Sequence, residues 1–329
     1  MDSFIYAISA VAPIVLMVAI GYFLKRIGMI PAKFASEGNK LVFRVFMPVM
    51  LFLNIYRINN LAAMGFGFIL YAIIALLIIF AISIPVSIAV AKQKNRRGVL
   101  IQASFRSGYS LIGIPLAESL YGPAGATAAS LLSAAVIPLF NVLAVISLAS
   151  FGNDSEKKPG VKDILLGIVK NPLIIGIAAG LVVLGFRAVF EAVDISFRLA
   201  DITPLMTVIQ YISNLAIPLA LIVLGAQFEF SAVSALKREI ICGTAIRCLI
   251  VPVFVLGIAF LFFRKDFGAA QFATFVSLFA TPVAVPSVPM VQEMNGDVTL
   301  AGQLVVWSTL VAAFSIFLAA FLLRLGGAL

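Results

Sequence analysis

Apolar residues fill this chain in long blocks separated by short polar stretches. The blocks run over roughly 5–24, 39–56, 64–91, 98–121, 124–149, 170–190, 206–227, 237–263, 268–294 and 298–325. Each is near or above the ~20 apolar residues with which an α-helix crosses a bilayer core. The pattern predicts an all-α integral membrane protein with ten transmembrane helices, spans 1 to 10. One intervening stretch stands apart. Gly152-Asn153-Asp154-Ser155-Glu156-Lys157-Lys158-Pro159-Gly160 is polar, charged and rich in turn formers. It predicts a linker over 150–163 between a first repeat (1–149) and a second (164–329). An odd number of spans per half inverts the second half relative to the first, giving two inverted five-helix repeats.

The halves also share landmarks. Span 2 carries Phe46-Met47-Pro48-Val49-Met50-Leu51 and span 7 carries Ala216-Ile217-Pro218-Leu219-Ala220-Leu221. In span 4, Ser-Leu-Ile-Gly-Ile-Pro ends at Pro115, and Gly122 follows seven residues later. In span 9, Ala-Val-Pro-Ser-Val-Pro ends at Pro289, and Gly296 follows at the same distance. Pro48 to Pro115 is 67 residues and Pro218 to Pro289 is 71. A proline inside a helix removes a hydrogen bond and clashes with the preceding turn. In lipid such a break survives only within protein or beside a water-filled cavity. Interruptions in corresponding helices of two halves point to a transporter's binding site. Spans 4 and 9 are therefore predicted to break within the clusters Gly108, Gly113 and Pro115 and Pro282, Pro286 and Pro289, with the second half of span 4 starting after Pro115.

Composition agrees and narrows the class. The 329 residues are 63% hydrophobic and 11% charged, against about 25% charged in soluble domains. The net charge of +9 suggests a polyanion binder until its distribution is read. The loops after spans 1, 3, 5, 7 and 9 hold 15 of the 23 basic residues. This is the positive-inside asymmetry, which puts both termini outside and needs no nucleic-acid partner. Cys242 and Cys248 lie on one span, six residues apart, facing different ways, and read as packing residues. The first apolar block lacks a basic leader and a cleavage site, so it is expected to remain as span 1.

Each half-helix that restarts after a break presents a free N-terminus, with unpaired N–H groups and about half a positive charge. Two such ends, entering from opposite sides, make an anion site, and a carboxylate is the natural guest. Cation-coupled carriers usually hold an acid at the midplane. Here no Asp lies in a span, and Glu118 and Glu293 sit near the loop ends of their half-helices, either solvated or coupling transport to protons. Arg106 and Arg247 lie inside spans 4 and 8, either snorkelling to an interface or drawing an anion into a vestibule. Ser107, Tyr109, Ser110, Asn141, Thr281, Ser287 and Gln292 are polar residues within spans; Asn54 and Asn214 are others. With no His, no Asp-rich diphosphate motif, no thiol pair and no Gly-rich phosphate loop, the chain offers little to an enzymatic reading, a cofactor or a metal.

The run Phe105-Arg106-Ser107-Gly108-Tyr109-Ser110-Leu111-Ile112-Gly113-Ile114-Pro115-Leu116 resembles the span 4 signature of the auxin efflux carrier family. Phe46-Met47-Pro48, Asn171-Pro172-Leu173-Ile174, Ile217-Pro218-Leu219-Ala220-Leu221 with Gly225, and Ala280-Thr281-Pro282 through Glu293 resemble other parts of it, in order, along essentially the whole chain. The short linker resembles the bacterial type. The resemblance implies a fold of the bile-acid symporter and cation-antiporter kind. Spans 1, 2, 6 and 7 would be a scaffold and spans 3–5 and 8–10 a transport domain. Spans 4 and 9 would cross at their breaks, where a carboxylate binds. Family members export auxin in plants, and bacterial relatives are linked to malonate, malate and similar anions. One departure is clear: the family often has Asn at the position of Gly108, contacting the carboxylate, and a polar residue where Val283 stands. Recognition here then falls to backbone N–H groups, Tyr109, Ser110 and Ser287.

The expected function is thus an alternating-access carrier, an efflux or uniport type, for a small organic anion. Its site would draw on Ser107, Gly108, Tyr109, Ser110, Gly113, Pro115, Asn141, Thr281, Pro282, Val283, Pro286 and Ser287. The alternative is a Na+- or H+-coupled symporter or antiporter. Expected partners are the anion, the lipid bilayer, such a coupling ion and a second copy of the chain in a homodimer.

Overall fold

The computed structural model describes residues 2–57, 66–151 and 166–329. The Gly152–Gly160 linker lies outside them. Among the described residues the secondary structure is helical, apart from one isolated β-bridge. In chain order, α1 is Asp2–Arg26, α2 Ala32–Leu41, α3 Met47–Tyr56, α4 Phe66–Val90, α5 Lys94–Phe105 and α6 Ile114–Phe151. Then follow α7 Pro172–Ala192, α8 Thr203–Gln227, α9 Ala232–Ala235, α10 Lys237–Ala245, α11 Val251–Phe263, α12 Ala269–Phe279, α13 Ser287–Glu293 and α14 Val298–Leu325.

Among the described residues seven helical runs are long and apolar enough to cross a membrane. They are Ala32–Tyr56, Gly67–Val90, Tyr109–Phe151, Pro172–Glu191, Thr203–Gln227, Lys237–Phe263 and Val298–Leu325. Their outward faces are apolar: Ile74, Ile78 and Ile82 on α4, Val182, Phe186 and Val189 on α7, and Phe254, Leu261 and Phe262 on α11 are all exposed. A water-soluble protein does not carry apolar faces of this extent; a lipid-facing one does. The run Ala32–Tyr56 begins seven residues before the block read from hydropathy, because α2 is amphipathic. It exposes Lys33 and Glu37 and buries Ala35 and Asn39.

Three π-helical turns, Val42–Phe46, Tyr109–Gly113 and Ile246–Ile250, interrupt the long runs. Each ends two residues before a proline: Pro48, Pro115 and Pro252. The prolyl ring clashes with the carbonyl four residues back, and the wider turn relieves that clash without ending the helix. The Cys248 carbonyl, four residues before Pro252, is instead satisfied by the Ser315 hydroxyl. Pro115 therefore widens its helix and does not break it. The run it belongs to continues to Tyr121–Gly122, where φ of +59° at Gly122 turns the chain into the rest of α6.

Among the described residues, the closest backbone-against-backbone contacts between separate helices are those of α1 with α8 and of α3 with α7. A Cβ on Gly225 of α8 would stand 2.0 Å from the Val18 carbonyl oxygen of α1, and one on Gly21 of α1 would stand 2.1 Å from that of Ile222. In α7, a Cβ on Gly176 would meet the Pro48 carbonyl oxygen of α3 at 2.4 Å. Missing side chains let helices approach this closely, the usual device of membrane helix packing.

Candidate functional site

The site is built where two helices stop short. Helix α5 ends at Phe105 and α12 at Phe279, and both chains then leave the helical path and cross. Ser107 and Val283 form an antiparallel bridge. The Gly108 N–H donates to the Pro282 carbonyl at 2.8 Å and the Ala284 N–H to the Arg106 carbonyl at 3.1 Å. The Val283 N–H donates to Ser308 Oγ on α14 at 3.0 Å. Backbone groups released by unwinding thus find partners inside protein, as an apolar surrounding demands. Beyond the crossing the chains resume as the π-turn at Tyr109 and as α13 at Ser287.

This corrects the position of the first interruption. It lies at Arg106–Gly108, seven and more residues before Pro115, and no proline is in it. The second lies over Ala280–Pro286 and contains Pro282 and Pro286, as read from sequence, while Pro289 is buried inside α13.

Arg247, from the π-turn between α10 and α11, closes the first-half ends of both broken helices. Its side chain is fully buried. Nε donates to the Thr281 carbonyl and Nη2 to that of Leu278, both at 2.8 Å. Nη1 faces the Ser104 and Phe105 carbonyls at 3.4 Å. The last carbonyls of a helix are unsatisfied and carry about half a negative charge; one guanidinium here serves two such ends. Arg106 is also buried. Its Nη2 donates to Asn141 Oδ1 and its Nη1 to Met290 Sδ, each at 2.9 Å. Neither arginine snorkels to an interface or lines an open vestibule in this conformation.

The remaining predicted residues divide. Ser107 and Ser287 are buried at the crossing, and their hydroxyls have no partner among the described residues. Val283, Pro282, Pro286 and Thr281 are buried there too, with Thr281 Oγ1 bonded to the Ser277 carbonyl. The Tyr109 hydroxyl is turned away to the Ala129 carbonyl at 2.8 Å, so it is not free to meet a ligand. Its ring packs on Gly113. Ser110 is half-buried, while Pro115 and Glu118 are exposed. Glu293 is held by Arg44 at 2.8 Å. Among the described residues no group of acids, Cys or His could hold a metal ion.

Sequence reading missed several members. Gln102 lies one turn before Arg106 and also reaches Met290 Sδ; the i,i+4 spacing was the available signal. Ser308 carried none. An amide cluster also went unseen: Asn39 Nδ2 donates to Gln227 Oε1 and to Gln292 Oε1, both at 2.8 Å, and Gln292 Nε2 donates to the Ser36 carbonyl. Beside it a cavity of about 410 Å³ lies between α2, the end of α8, α13 and the start of α14. Val288 and Gln292 reach it from α13, and Lys25, Gln227 and Gln303 line it as well. Nearby, Arg96 ties α5 to α10 and α14 through Glu239 at 3.2 Å and Asp297 at 2.8 Å. Burial works against its charge, but the two carboxylates outweigh that and hold its pKa above the ordinary value.

The outward apolar faces and the polar crossing within define a multi-pass membrane protein of the transporter class. The chain matches the family model described as membrane transport protein over residues 6–319, and it belongs to that family, the auxin efflux carriers. A relative from Methanothermobacter thermautotrophicus, named only as an uncharacterized transporter, is 21% identical over 326 residues, covering 95% of this chain and 97% of its own.

Proposed function

We propose that the chain carries a small organic anion of the carboxylate type by alternating access, with the anion bound at the crossing of α5 and α12. The observation that carries this reading is the crossing itself. Two unwound segments are held together by backbone hydrogen bonds, with two buried arginines and two unpartnered buried hydroxyls, and no acid pairs with either arginine among the described residues.

In this reading the chain has ten spans in two inverted five-helix repeats. The pairing of α1 with α8 and of α3 with α7 supports it: inversion maps span 1 onto 6 and 2 onto 7, so the two close seams are equivalent. Helices α1, α2–α3, α7 and α8 form the scaffold and the rest the transport domain. The amide cluster and the Arg44–Glu293 pair then bridge the two domains at the cytoplasmic end, beside the cavity. Both termini face outward across the bacterial inner membrane.

Flux of mono- and dicarboxylates in proteoliposomes tests the proposal; no carboxylate movement under any imposed gradient sinks it. Repeating the flux at varied pH and Na+ tests the cation-coupled alternative. Against that alternative stand the exposure of Glu118 and the pairing of Glu293 with Arg44.

A further inference from the structure

The two buried arginines of the crossing have different surroundings. Every nitrogen of Arg247 donates to a main-chain carbonyl at the end of α5 or α12. Two helix C-termini together offer about one negative charge, so this guanidinium is close to neutralised where it stands. Arg106 has nothing comparable. Its two partners are an amide oxygen and a thioether sulfur; the first is neutral and the second a weak acceptor. Nε has no partner among the described residues, and the side chain is 4% exposed. A guanidinium does not lose its proton in a protein, and an enclosed charge without a counter-charge is costly. Within a membrane such a charge is a functional site by default.

The groups around Arg106 are incomplete in the same way. Gln102 Oε1, one turn earlier on α5, is buried without a partner, as is Ser287 Oγ, one turn before Met290 on α13. Asn141 is pinned by its own bond to the Ile137 carbonyl, which fixes its oxygen toward Arg106. The guanidinium is thus held in place by neutral groups, with donors to spare, beside a free hydroxyl and a free amide oxygen. The cavity reaches Val288, the residue after Ser287, so α13 leads from the cavity to this cluster.

We propose that Arg106 recognises the charge of the transported anion and takes one carboxylate of a small substrate, while Arg247 is a positioning residue that never meets it. This rests on the anion-carrier reading above. It makes the charge, and not the size, of the anion the first requirement for binding.

The test uses the full chain in proteoliposomes and in detergent, with a panel of short mono- and dicarboxylates and the neutral amide of each. Arg106→Gln, Arg106→Met and Arg106→Lys are compared with the parent by flux and by thermal shift. The Gln and Met variants are expected to fold and to raise KM for carboxylates at least about tenfold, or to abolish their binding, because the lost interaction is made with the bound anion. The Lys variant is expected to restore most of it, and thermal shifts with the neutral amides to stay unchanged. The Met variant guards against misfolding, since an apolar side chain in place of an unpaired buried charge is often neutral or stabilising. Folded Gln and Met variants with the parent's KM overturn the assignment. Failure of both to fold also overturns it, by making the guanidinium structural. If the parent moves no carboxylate at all, the carrier reading itself falls, and that outcome is distinct from the other two.

Discussion

The seam between α1 and α8 and the crossing of α5 and α12 are both places where two backbones touch, and they touch in opposite ways. At the seam the contact is steric. Gly21 and Gly225 bring helix against helix, and a Cβ at either would collide with a carbonyl oxygen. At the crossing the contact is polar. Donors and acceptors meet in pairs, one arginine closes two helix ends, and a few buried groups stay unpaired. A steric seam has one good arrangement, which suits a part that holds still. A polar crossing with unmatched groups gains partners when a ligand arrives, which suits a part that binds and moves.

The seam is the easier to break, and its loss has the largest expected effect. Gly225→Val puts a branched side chain where a Cβ alone would stand 2.0 Å from one backbone atom and 2.9 Å from another, the Tyr22 nitrogen. Overpacking usually costs about 1–3 kcal/mol when side chains can yield; here the obstacles are main chain. No monodisperse protein is expected on size-exclusion chromatography. Gly257→Ala, with nothing near its Cβ, is the matched control and should behave as the parent. A well-folded Gly225→Val protein would show that α1 and α8 are not in fixed contact.

The crossing breaks next, at Arg247. Arg247→Met leaves carbonyls of Ser104, Phe105, Leu278 and Thr281 without their donor. An unsatisfied buried group costs about 1–3 kcal/mol, so a loss of about 3 kcal/mol or more is expected as a lowered unfolding midpoint. Arg247→Lys keeps the charge but not the planar fork and should recover only part. A Met variant as stable as the parent would mean that the helix ends do not depend on this side chain.

Between the two regions lies the amide cluster, and its effect is smaller. Gln292→Leu removes hydrogen bonds to Asn39 and Ser36 across the proposed domain boundary. At about 1 kcal/mol for each net hydrogen bond, about 2 kcal/mol is at stake and roughly a thirtyfold change in exchange rate is expected, with little change in KM. Arg44→Gln breaks the ion pair with Glu293; with Arg44 largely exposed, about 0–1 kcal/mol is at stake. If Arg44→Gln slows or speeds exchange more than Gln292→Leu does, the charged pair and not the amides controls the boundary.

How much of this was legible in sequence follows from which interactions are local. Hydropathy alone placed α14 over Val298–Leu325 and ended α8 at Gln227, because bilayer-length apolar runs need no partner to be recognised. The interruption of span 9 was legible through Pro282 and Pro286, which cannot sit quietly in a helix. That of span 4 was legible only in part: the cluster Gly108, Gly113 and Pro115 touches the true break at Gly108, but the restart was put after Pro115, since a proline can be absorbed by a π-turn. The role of Arg247 was out of reach, because its four acceptors come from two segments far apart in the chain. The unpaired state of Arg106 was equally hidden, as an absence of partners shows only when the surroundings are in place.

Gly108 gives the smallest expected effect and the finest comparison. Its φ is −70°, a value any residue adopts, and a Cβ there would meet the Pro282 oxygen at 3.6 Å and Ile112 Cδ1 at 3.8 Å, ordinary contacts. Its bond across the crossing runs through the backbone N–H and survives substitution. Gly108→Ala should therefore change stability by no more than about 0.5 kcal/mol. Gly113→Ala, five residues on, would push a Cβ to 2.3 Å from the Tyr109 ring and should lower the unfolding midpoint clearly. On the proposed reading, with the anion bound at the crossing, a side chain at Gly108 acts on the ligand before it acts on the structure, since the fold leaves room there. Gly108→Asn, which adds an amide beside the crossing, is expected to alter KM among carboxylates while leaving the unfolding midpoint near the parent's. An Ala variant that unfolds as early as Gly113→Ala would show the crossing to be as unyielding as the glycine seam, and the contrast between the two regions would be lost.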